Sequence, residues 1–354
     1  MVPLYRTQCG ALKIDVLPTK PNVNLMEDEI RSQQWTHGLA TLPGMDSRTR
    51  IERNRRSLQI ALGFIWLIDA VLQYQPYMFT KAFVTVSLQP VAAGNPWIFH
   101  RPIVWSDHLM IHHIVLWNAL YATIQLLIAI GLFWRPTVRW ALGISIVWGI
   151  AVWWFAEGFG GIFSGSSPFM GEPGAVILYV LLAALIWPRP AESDNRSVAQ
   201  SSPLGRFVPE TLWAVLWGSF AYYLLIPANR GTQDLYNIVV GMASGEPGWI
   251  RSMDSGIATL LNHHGAEFSV VFAVLCVAFA IVILVPSLVR PALVVVLLFS
   301  LAVWLVQDFG AMLTSQGTDV NSGPLIALLA WAYWPVARTT RSQVQVKSAQ
   351  PAIA

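Results

Sequence analysis

The stretch that decides the fold runs from Trp153 to Pro188 and reads WWFAEGFGGIFSGSSPFMGEPGAVILYVLLAALIWP. A second stretch, VWLVQDFGAMLTSQGTDVNSGPLIALLAWAYWP at 303–335, has the same order of features. Each begins at the end of an apolar helix and passes through an acidic residue and a Phe-Gly pair into a loop rich in small and polar residues. Each then enters a short apolar run that stops at Trp-Pro. The chain therefore contains this element twice.

Further matches extend this similarity over most of the chain. At an offset of 150 or 151 residues the matching pairs are Trp66 and Trp217, Pro76 and Pro227, His112-His113 and His263-His264, Pro136 and Pro286, Val138-Arg139 and Val289-Arg290, and Phe159-Gly160 and Phe309-Gly310. Self-similarity at a fixed period is the sequence signature of repeated structural units. We predict a tandem duplication of residues 57–190 and 209–336, joined by a polar linker at 191–208.

The composition is that of a membrane protein. Hydrophobic residues make up 55% of the chain and charged residues only 12%, against about 25% charged residues in soluble domains. Apolar runs of about 20 residues recur, which is the length that crosses a bilayer core of roughly 30 Å. The net charge of +3 comes from basic residues in short loops and at the ends, which gives no surface for nucleic acid. We therefore expect the lipid bilayer as partner.

The apolar pattern predicts an all-α integral membrane protein with eight transmembrane helices, arranged as two four-helix bundles. The predicted spans are 57–75, 111–133, 137–156, 174–187, 210–226, 266–286, 291–307 and 323–335. The long loops after the first and fifth spans contain Trp and Phe, which favours short helices at the membrane interface. Cys9 and Cys276 are the only cysteines, so neither a disulfide nor a metal–thiolate site is expected.

The distribution of Lys and Arg predicts the orientation. In the eight-span arrangement, 18 of the 22 basic residues fall on one side, which the positive-inside rule assigns to the cytoplasm. The tails at 1–56 and 337–354 are then both cytoplasmic, in the plasma membrane, and the first is expected to be disordered. A start at Met45 is an alternative to Met1. Four spans per unit make the two repeats parallel, related by an axis along the membrane normal.

Three acidic residues are candidates for a functional site. Glu157 and Asp308 lie at the outer ends of the third and seventh spans, and Asp69 lies inside the first span. An acidic residue within a membrane is costly to bury, so it is a functional hypothesis by default. The alternative for Glu157 and Asp308 is that each is a helix-end carboxylate that faces solvent. The alternative for Asp69 is that it is hydrogen-bonded to a polar neighbour in the helix packing.

The paired histidines are the other candidates, because they occupy matching positions in both units. Adjacent helical residues do not share a face, so only one histidine of each pair would point inward. The candidates are His113 from the first pair and His264 from the second. Two inward histidines could shuttle protons or bind a metal. The alternative is that they are polar residues at the membrane interface, hydrogen-bonded by the loop above them. We assign no metal site. We predict an outer pocket with Glu157, Asp308 and one histidine of each pair at its rim and the short fourth and eighth spans as its floor.

Each unit resembles the four-helix DoxX-like family, which includes the DoxD subunit of thiosulfate:quinone oxidoreductases. The resemblance is carried by LQIALGFIWLIDAVLQ at 58–73, the long outer loop after the first span and the Gly-rich segment between the third and fourth. It covers about 260 of the 354 residues and includes no diagnostic catalytic motif, so no family site residue can be transferred. Two fused copies depart from the usual single copy. The resemblance implies a membrane-redox role with quinone as cofactor and a partner redox protein.

Three functions are compatible with the sequence. The first is a membrane subunit of a quinone-linked redox or thiol-stress system. The second is a transporter of a small solute or metal with its site between the two repeats. The third is a non-catalytic scaffold in the membrane. The sequence does not decide whether the chain is an enzyme.

Overall fold

The computed structural model describes residues 47–192, 195–243 and 245–336, and these ranges are all-helical, with no strand among them. The α-helices are α1 (Ser47–Gln73), α2 (Trp97–His112), α3 (Ile114–Phe133), α4 (Val138–Phe155), α5 (Ala175–Leu185), α6 (Phe207–Leu225), α7 (Asp234–Met242), α8 (Gly248–Leu261), α9 (Gly265–Val282), α10 (Val289–Val306) and α11 (Ser322–Tyr333). The all-α fold class is confirmed.

Several helices are long and apolar enough to cross a membrane. Within the described residues five segments meet this condition, namely Ser47–Gln73, Ile114–Phe133, Arg135–Phe155, Gly265–Val282 and Val289–Thr314. The other three predicted spans coincide with α5, α6 and α11, which are helical but fall outside that set. Helices α5 and α11 have only 11 and 12 residues, about 17 Å at 1.5 Å per residue, which is shorter than the bilayer core.

Helix α1 begins ten residues before the predicted span, so residues 47–56, expected in the disordered tail, are helical. The buried guanidinium of Arg55 explains this extension, since it donates to the carbonyl oxygens of Arg189 and Ser201. The next residue, Arg56, donates to the last carbonyls of α3, with 2.9 Å to Leu132 O. A cation at a helix C-terminus satisfies carbonyls that lack intrahelical partners. The remaining tail predictions, for 1–46 and 337–354, lie outside the described residues.

The segment between α1 and α3 is helical rather than a simple loop. It contains a π-helical turn at Phe83–Leu88 and then α2, which is 16 residues long. His112 ends α2 and His113 separates α2 from α3. The second membrane helix therefore starts at Ile114 and not at residue 111 as predicted. The helix is interrupted there, because His113 has non-helical backbone angles (φ −136°, ψ 44°).

The helices pack in the same pairs in both halves. Helix α1 lies along α3 as α6 lies along α9, and α4 contacts α5 as α10 contacts α11. The two short helices α5 and α11 touch each other, and α11 also touches α1, so both halves share one continuous core. Most side chains of α5 and α11 are buried in protein. Because these helices are buried, the loops that complete their short length do not expose backbone polar groups to lipid. Such exposure is what a membrane protein must avoid.

The loop before each short helix is fixed by an equivalent hydrogen bond. Trp153 Nε1 donates to Pro173 O at 2.6 Å, and Trp304 Nε1 donates to Val320 O at 2.9 Å. In the first loop, Gly160 has a φ of +62°, and a Cβ placed on it would lie 2.0 Å from the carbonyl carbon of Pro173. Only glycine permits this approach, which brings the loop onto the end of α4.

Candidate functional site

A cavity of about 330 Å³ lies in the first half of the described chain. Its wall is largely aromatic and includes Trp66, Phe83, Trp105, Trp117, Tyr121, Trp148 and Phe155. The polar residues that line it are Asp69, Gln73, Ser87, Ser106, Gln125, Glu157, Thr318 and Asp319. Small-molecule sites are typically concave, mainly apolar, and contain a few convergent polar groups. The cavity has this character.

Asp69 is fixed in the wall by a hydrogen bond from another helix. Its side chain is 2% exposed, and its Oδ2 accepts from the Tyr179 hydroxyl at 2.5 Å. The ring of Tyr179 packs against Trp66, with centroids 4.6 Å apart. Since Trp66 and Asp69 are three residues apart on α1, they lie on the same helix face. Helices α1 and α5 therefore hold the carboxyl group in one orientation.

Glu157 lies two residues after the end of α4 and points toward the beginning of α5. Its Oε1 accepts from the backbone N–H of Val176 at 3.2 Å, within the first turn of α5, where the helix dipole favours an anion. The backbone N–H of Ala175 also interacts with this carboxyl group, and the other oxygen, Oε2, is buried without a hydrogen bond of normal geometry from the described residues. Burial, and secondarily repulsion from Asp319, raises the pKa of Glu157 to about 8. This carboxyl group can therefore gain or lose a proton near neutral pH.

Asp319 reaches the cavity from the second half of the chain. It lies in the loop before α11, where its Oδ1 accepts from Asn321 N at 2.6 Å and its Oδ2 from Thr318 Oγ1 at 2.9 Å. Burial raises the pKa of Asp319 despite these bonds. The cavity is thus built by α1 to α5 and closed by a loop that is more than 100 residues away in sequence.

The polar lining has an unbalanced charge and unfilled hydrogen bonds. No Lys, Arg or His of the described ranges lines the cavity beside its three acidic residues. Two further lining atoms, Gln125 Oε1 and Trp148 Nε1, are buried without a partner in the same ranges, as is Glu157 Oε2. Buried polar groups in native proteins are almost always hydrogen-bonded. These atoms therefore indicate a ligand that offers both a donor and an acceptor, or ordered water in its place.

The structure brings together two of the five candidates named from the sequence. Asp69 and Glu157 line the same cavity. His113 and His264 are exposed residues just before α3 and α9 and do not line it. Asp308 begins a short 3₁₀ segment after α10, and its side chain lies outside the described part of the structure. No group of three or more His, Cys, Asp or Glu that could hold a metal ion occurs among the described residues.

Sequence analysis missed several residues in or beside the site. Tyr179 supports the lining residue Asp69 through its hydroxyl group, but it lies in an apolar run whose only polar signal is that hydroxyl. Asp319 gave a signal in the loop sequence GTDVNSG, at 317–323, but nothing placed that loop against the first half. Asp107, on α2, is buried as well, and burial raises its pKa to about 6.

The second half contains a much smaller cavity at the corresponding place. It measures about 20 Å³ and is lined by Phe220, Leu224, Cys276, Phe299, Val303 and Ile326, among others. The first five lie 151 positions after Asp69, Gln73, Gln125, Trp148 and Val152, which line the large cavity. Phe169, from the Gly-rich loop of the first half, enters this space, with its ring centroid 5.0 Å from that of Phe272. The polar groups of the large cavity have no counterparts among these five residues.

Comparisons with protein-family models, with curated proteins and with solved structures found no match for this chain.

Proposed function

We propose that the chain is a membrane subunit of a quinone-linked redox or thiol-stress system, and that the large cavity binds the quinone ring and exchanges protons with it. The observation that carries this proposal is the Glu157 carboxyl group in an aromatic cavity: one of its oxygens is buried without a hydrogen-bond partner in the described ranges, and burial raises its pKa to about 8. The chain has the helices of a polytopic membrane protein, so a lipid-soluble substrate would be at hand.

The size and lining of the cavity support a ring-shaped ligand. Its volume of about 330 Å³ is at the lower end of the range of about 300–1,000 Å³ for small-molecule sites. Trp66, Trp148 and Tyr121 can stack against a flat ring, and offset or edge-on aromatic contacts are favourable. A carboxyl group kept neutral by its surroundings can donate a hydrogen bond to a carbonyl oxygen. Protonated Glu157 and Trp148 Nε1 would be such donors for the two carbonyls of a quinone.

The acidic residues provide a route for protons. When a quinone is reduced to its quinol, two electrons and two protons are taken up; the reverse reaction releases them. Glu157 and Asp69 are placed to supply or accept these protons, because both line the cavity. The electrons would come from, or go to, a partner redox protein, which is part of this proposal. Thr318 and Asp319 would limit access of water to the site from the side of the second half.

A transporter of a small organic cation is the second candidate, and one observation favours it. The lining has three acidic side chains and no basic one within the described ranges, so a cation would neutralise charge that is otherwise buried. The faces of Trp rings also attract cations. In this case a bound cation would lower the pKa of Glu157. A non-catalytic scaffold is the outcome if neither class of ligand binds.

The finer arrangement belongs to the same proposal. We infer eight membrane helices in two parallel four-helix units, in the plasma membrane with both termini cytoplasmic, of the DoxX-like type. The paired contacts of α1 with α3 and α6 with α9, and the two equivalent Trp–carbonyl hydrogen bonds, support the duplication. Labelling of single cysteines in intact cells tests the orientation. Ser315→Cys is expected to react with a membrane-impermeant maleimide and Arg206→Cys is not; the opposite result refutes this orientation.

Ligand binding tests the function directly. The purified protein is titrated with ubiquinone-1 and, separately, with phenyltrimethylammonium, and the quenching of tryptophan fluorescence is followed. We expect saturable quenching by ubiquinone-1, weakened by about tenfold in Asp69→Ala, because about 1.4 kcal/mol of binding free energy corresponds to tenfold in Kd. The control is Glu172→Gln, which alters another buried carboxyl group outside the cavity. Saturable binding of the cation alone would favour the transporter, and binding of neither would refute both.

A further inference from the structure

A second concave surface lies beside the cavity, on the side of α3 and α4 that faces the lipid in a membrane. This groove has a volume of about 500 Å³ and is lined by Ile124, Trp140, Gly143, Ile144, Val147, Trp148 and Ala151. All of these residues are apolar or aromatic, and Trp140 and Val147 are 77% and 71% exposed. The groove follows α4 from Trp140 to Ala151, about 16 Å at 1.5 Å per residue.

The groove and the cavity share part of their walls. Trp148 and Ala151 line both spaces, so the Trp148 side chain stands between the cavity and the lipid-facing groove. Its Nε1 is buried and has no hydrogen-bond partner in the described ranges. An indole N–H is normally bonded when it is buried. This donor is therefore left for a group that arrives in the cavity.

We propose that the ligand enters the cavity laterally from the bilayer, past Trp148, and that its hydrocarbon tail remains in the groove between α3 and α4. The ligand class is then an amphiphile, with a polar ring as head group and an apolar tail. This inference rests on the proposed function, because it names the form in which the quinone ring reaches its site. It assigns to Trp148 two roles, as the side chain that separates the spaces and as a hydrogen-bond donor to the head group.

The groove is open at Gly143 and continuous with the cavity. A Cβ placed on Gly143 would meet only the Trp187 ring, at 3.8 Å. The groove extends to the wall that it shares with the cavity at Trp148 and Ala151, and the cavity behind that wall has the acidic lining. A tail in the groove therefore continues directly from a head group in the cavity. Lipid acyl chains or a partner helix in the groove, unconnected to the cavity, are the outcomes that the test must separate.

The test compares two probes that differ only in the tail. Ubiquinone-0 has no tail and decylubiquinone has a ten-carbon tail, and both are titrated against the protein in nanodiscs of fixed lipid composition, with Kd corrected for partition into the bilayer. Because lipid is as apolar as the groove, the hydrophobic effect favours neither location for the tail. A tighter binding of decylubiquinone by about tenfold would therefore report fit to the groove.

Substitutions that fill the groove complete the experiment. Gly143→Leu and Val147→Trp are expected to remove the advantage of decylubiquinone and to leave the Kd of ubiquinone-0 unchanged. The matched control is Gly218→Leu on α6, where a Cβ would meet no atom within 4 Å. If both filled variants bind both probes as the parent does, the groove holds no tail and the inference is refuted. If ubiquinone-0 itself does not bind the parent, the proposed function fails instead.

Discussion

The hydroxyl of Tyr179 donates a 2.5 Å hydrogen bond to Oδ2 of Asp69, a residue 110 positions earlier in the sequence, and thereby joins α1 to α5. The pair lies at the wall of the large cavity, where Asp69 is fully buried among aromatic residues. A buried carboxyl group without this bond would pay an uncompensated desolvation cost. The bond therefore serves stability and also sets the direction in which Asp69 faces the ligand.

Tyr179→Phe should lower both stability and ligand affinity. The loss of one hydrogen bond to a buried carboxyl group costs about 1–3 kcal/mol, measured as a lower Tm of the purified protein. Affinity for ubiquinone-1 should fall as Asp69 loses its orientation. Tyr333→Phe is the matched control, since the Tyr333 hydroxyl donates to Pro209 O in the second half, away from the cavity. Equal losses of affinity in the two variants would contradict a specific role for the Asp69–Tyr179 pair.

The helices could be predicted from the sequence because their main determinant is local. Apolar runs bounded by Pro, Gly or basic residues predicted the bounds of the eight apolar helices to within a few residues, apart from the Arg-rich start of α1. That start depends on Arg55 and on the carbonyl oxygens of Arg189 and Ser201, which are distant in sequence. Hydropathy alone cannot show that an arginine-rich segment is bound by another part of the chain.

The site could be predicted only in part, for the same reason. Asp69 and Glu157 were found because acidic residues near apolar helices are costly unless they have a role. Asp319 was missed because its loop reaches a cavity formed by the other half, and no local pattern encodes that contact. The histidine pairs recur in sequence, but the structure leaves His113 and His264 exposed at helix ends, where their recurrence needs no shared ligand.

The affinity for ubiquinone-1 should depend on pH through Glu157. The pKa of this group is raised to about 8, so below that pH it is protonated and can donate to a quinone carbonyl. As the pH rises through about 8 the donor is lost and a negative charge appears, and we expect affinity to fall by about tenfold, the value of one hydrogen bond. Glu157→Gln retains a donor and should bind with little pH dependence. An unchanged pH profile in this variant would remove Glu157 from the site.

Asp319→Asn should shift that pH profile to lower pH. Repulsion from Asp319 is the second cause of the raised pKa of Glu157, after burial. Its removal should therefore lower the pKa of Glu157, and the midpoint of the affinity profile should fall by up to about one pH unit. Asp234→Asn is the control, because Asp234 also accepts a local backbone hydrogen bond, from Gly231 N, outside the cavity. A midpoint that stays at its parent value would show that the two halves do not interact at this site.

Glu172 should make the stability of the protein depend on pH. Its side chain is 2% exposed, neither carboxyl oxygen has a partner among the described residues, and burial raises its pKa to about 9. Because the folded pKa lies above the unfolded value, its contribution is fully present below about pH 4.5 and is lost as the pH rises through about 9. The slope is at most about 1.4 kcal/mol per pH unit. Denaturation measured between these limits should show a clearly smaller slope for Glu172→Gln, and an equal slope would contradict the burial of an ionisable Glu172.

Removal of the Phe169 side chain, which lines the small cavity, should reduce the stability of the protein without changing its affinity for the ligand. Phe169 is 8% exposed and fills the space between Phe272 and the lining residues that replace the polar groups of the first half. Phe169→Ala should therefore leave a void and reduce the free energy of unfolding by about 3–5 kcal/mol, as other buried Phe→Ala changes do. Affinity for ubiquinone-1 should not change, because Phe169 does not line the large cavity.

The control for Phe169→Ala is Met170→Ala at the neighbouring position, which is 59% exposed and should alter stability by no more than about 0.5 kcal/mol. If Phe169→Ala instead weakens binding of ubiquinone-1 while the protein remains as stable as the parent, the space around Phe169 belongs to the ligand site, and the distinction between one binding cavity and one filled cavity is wrong.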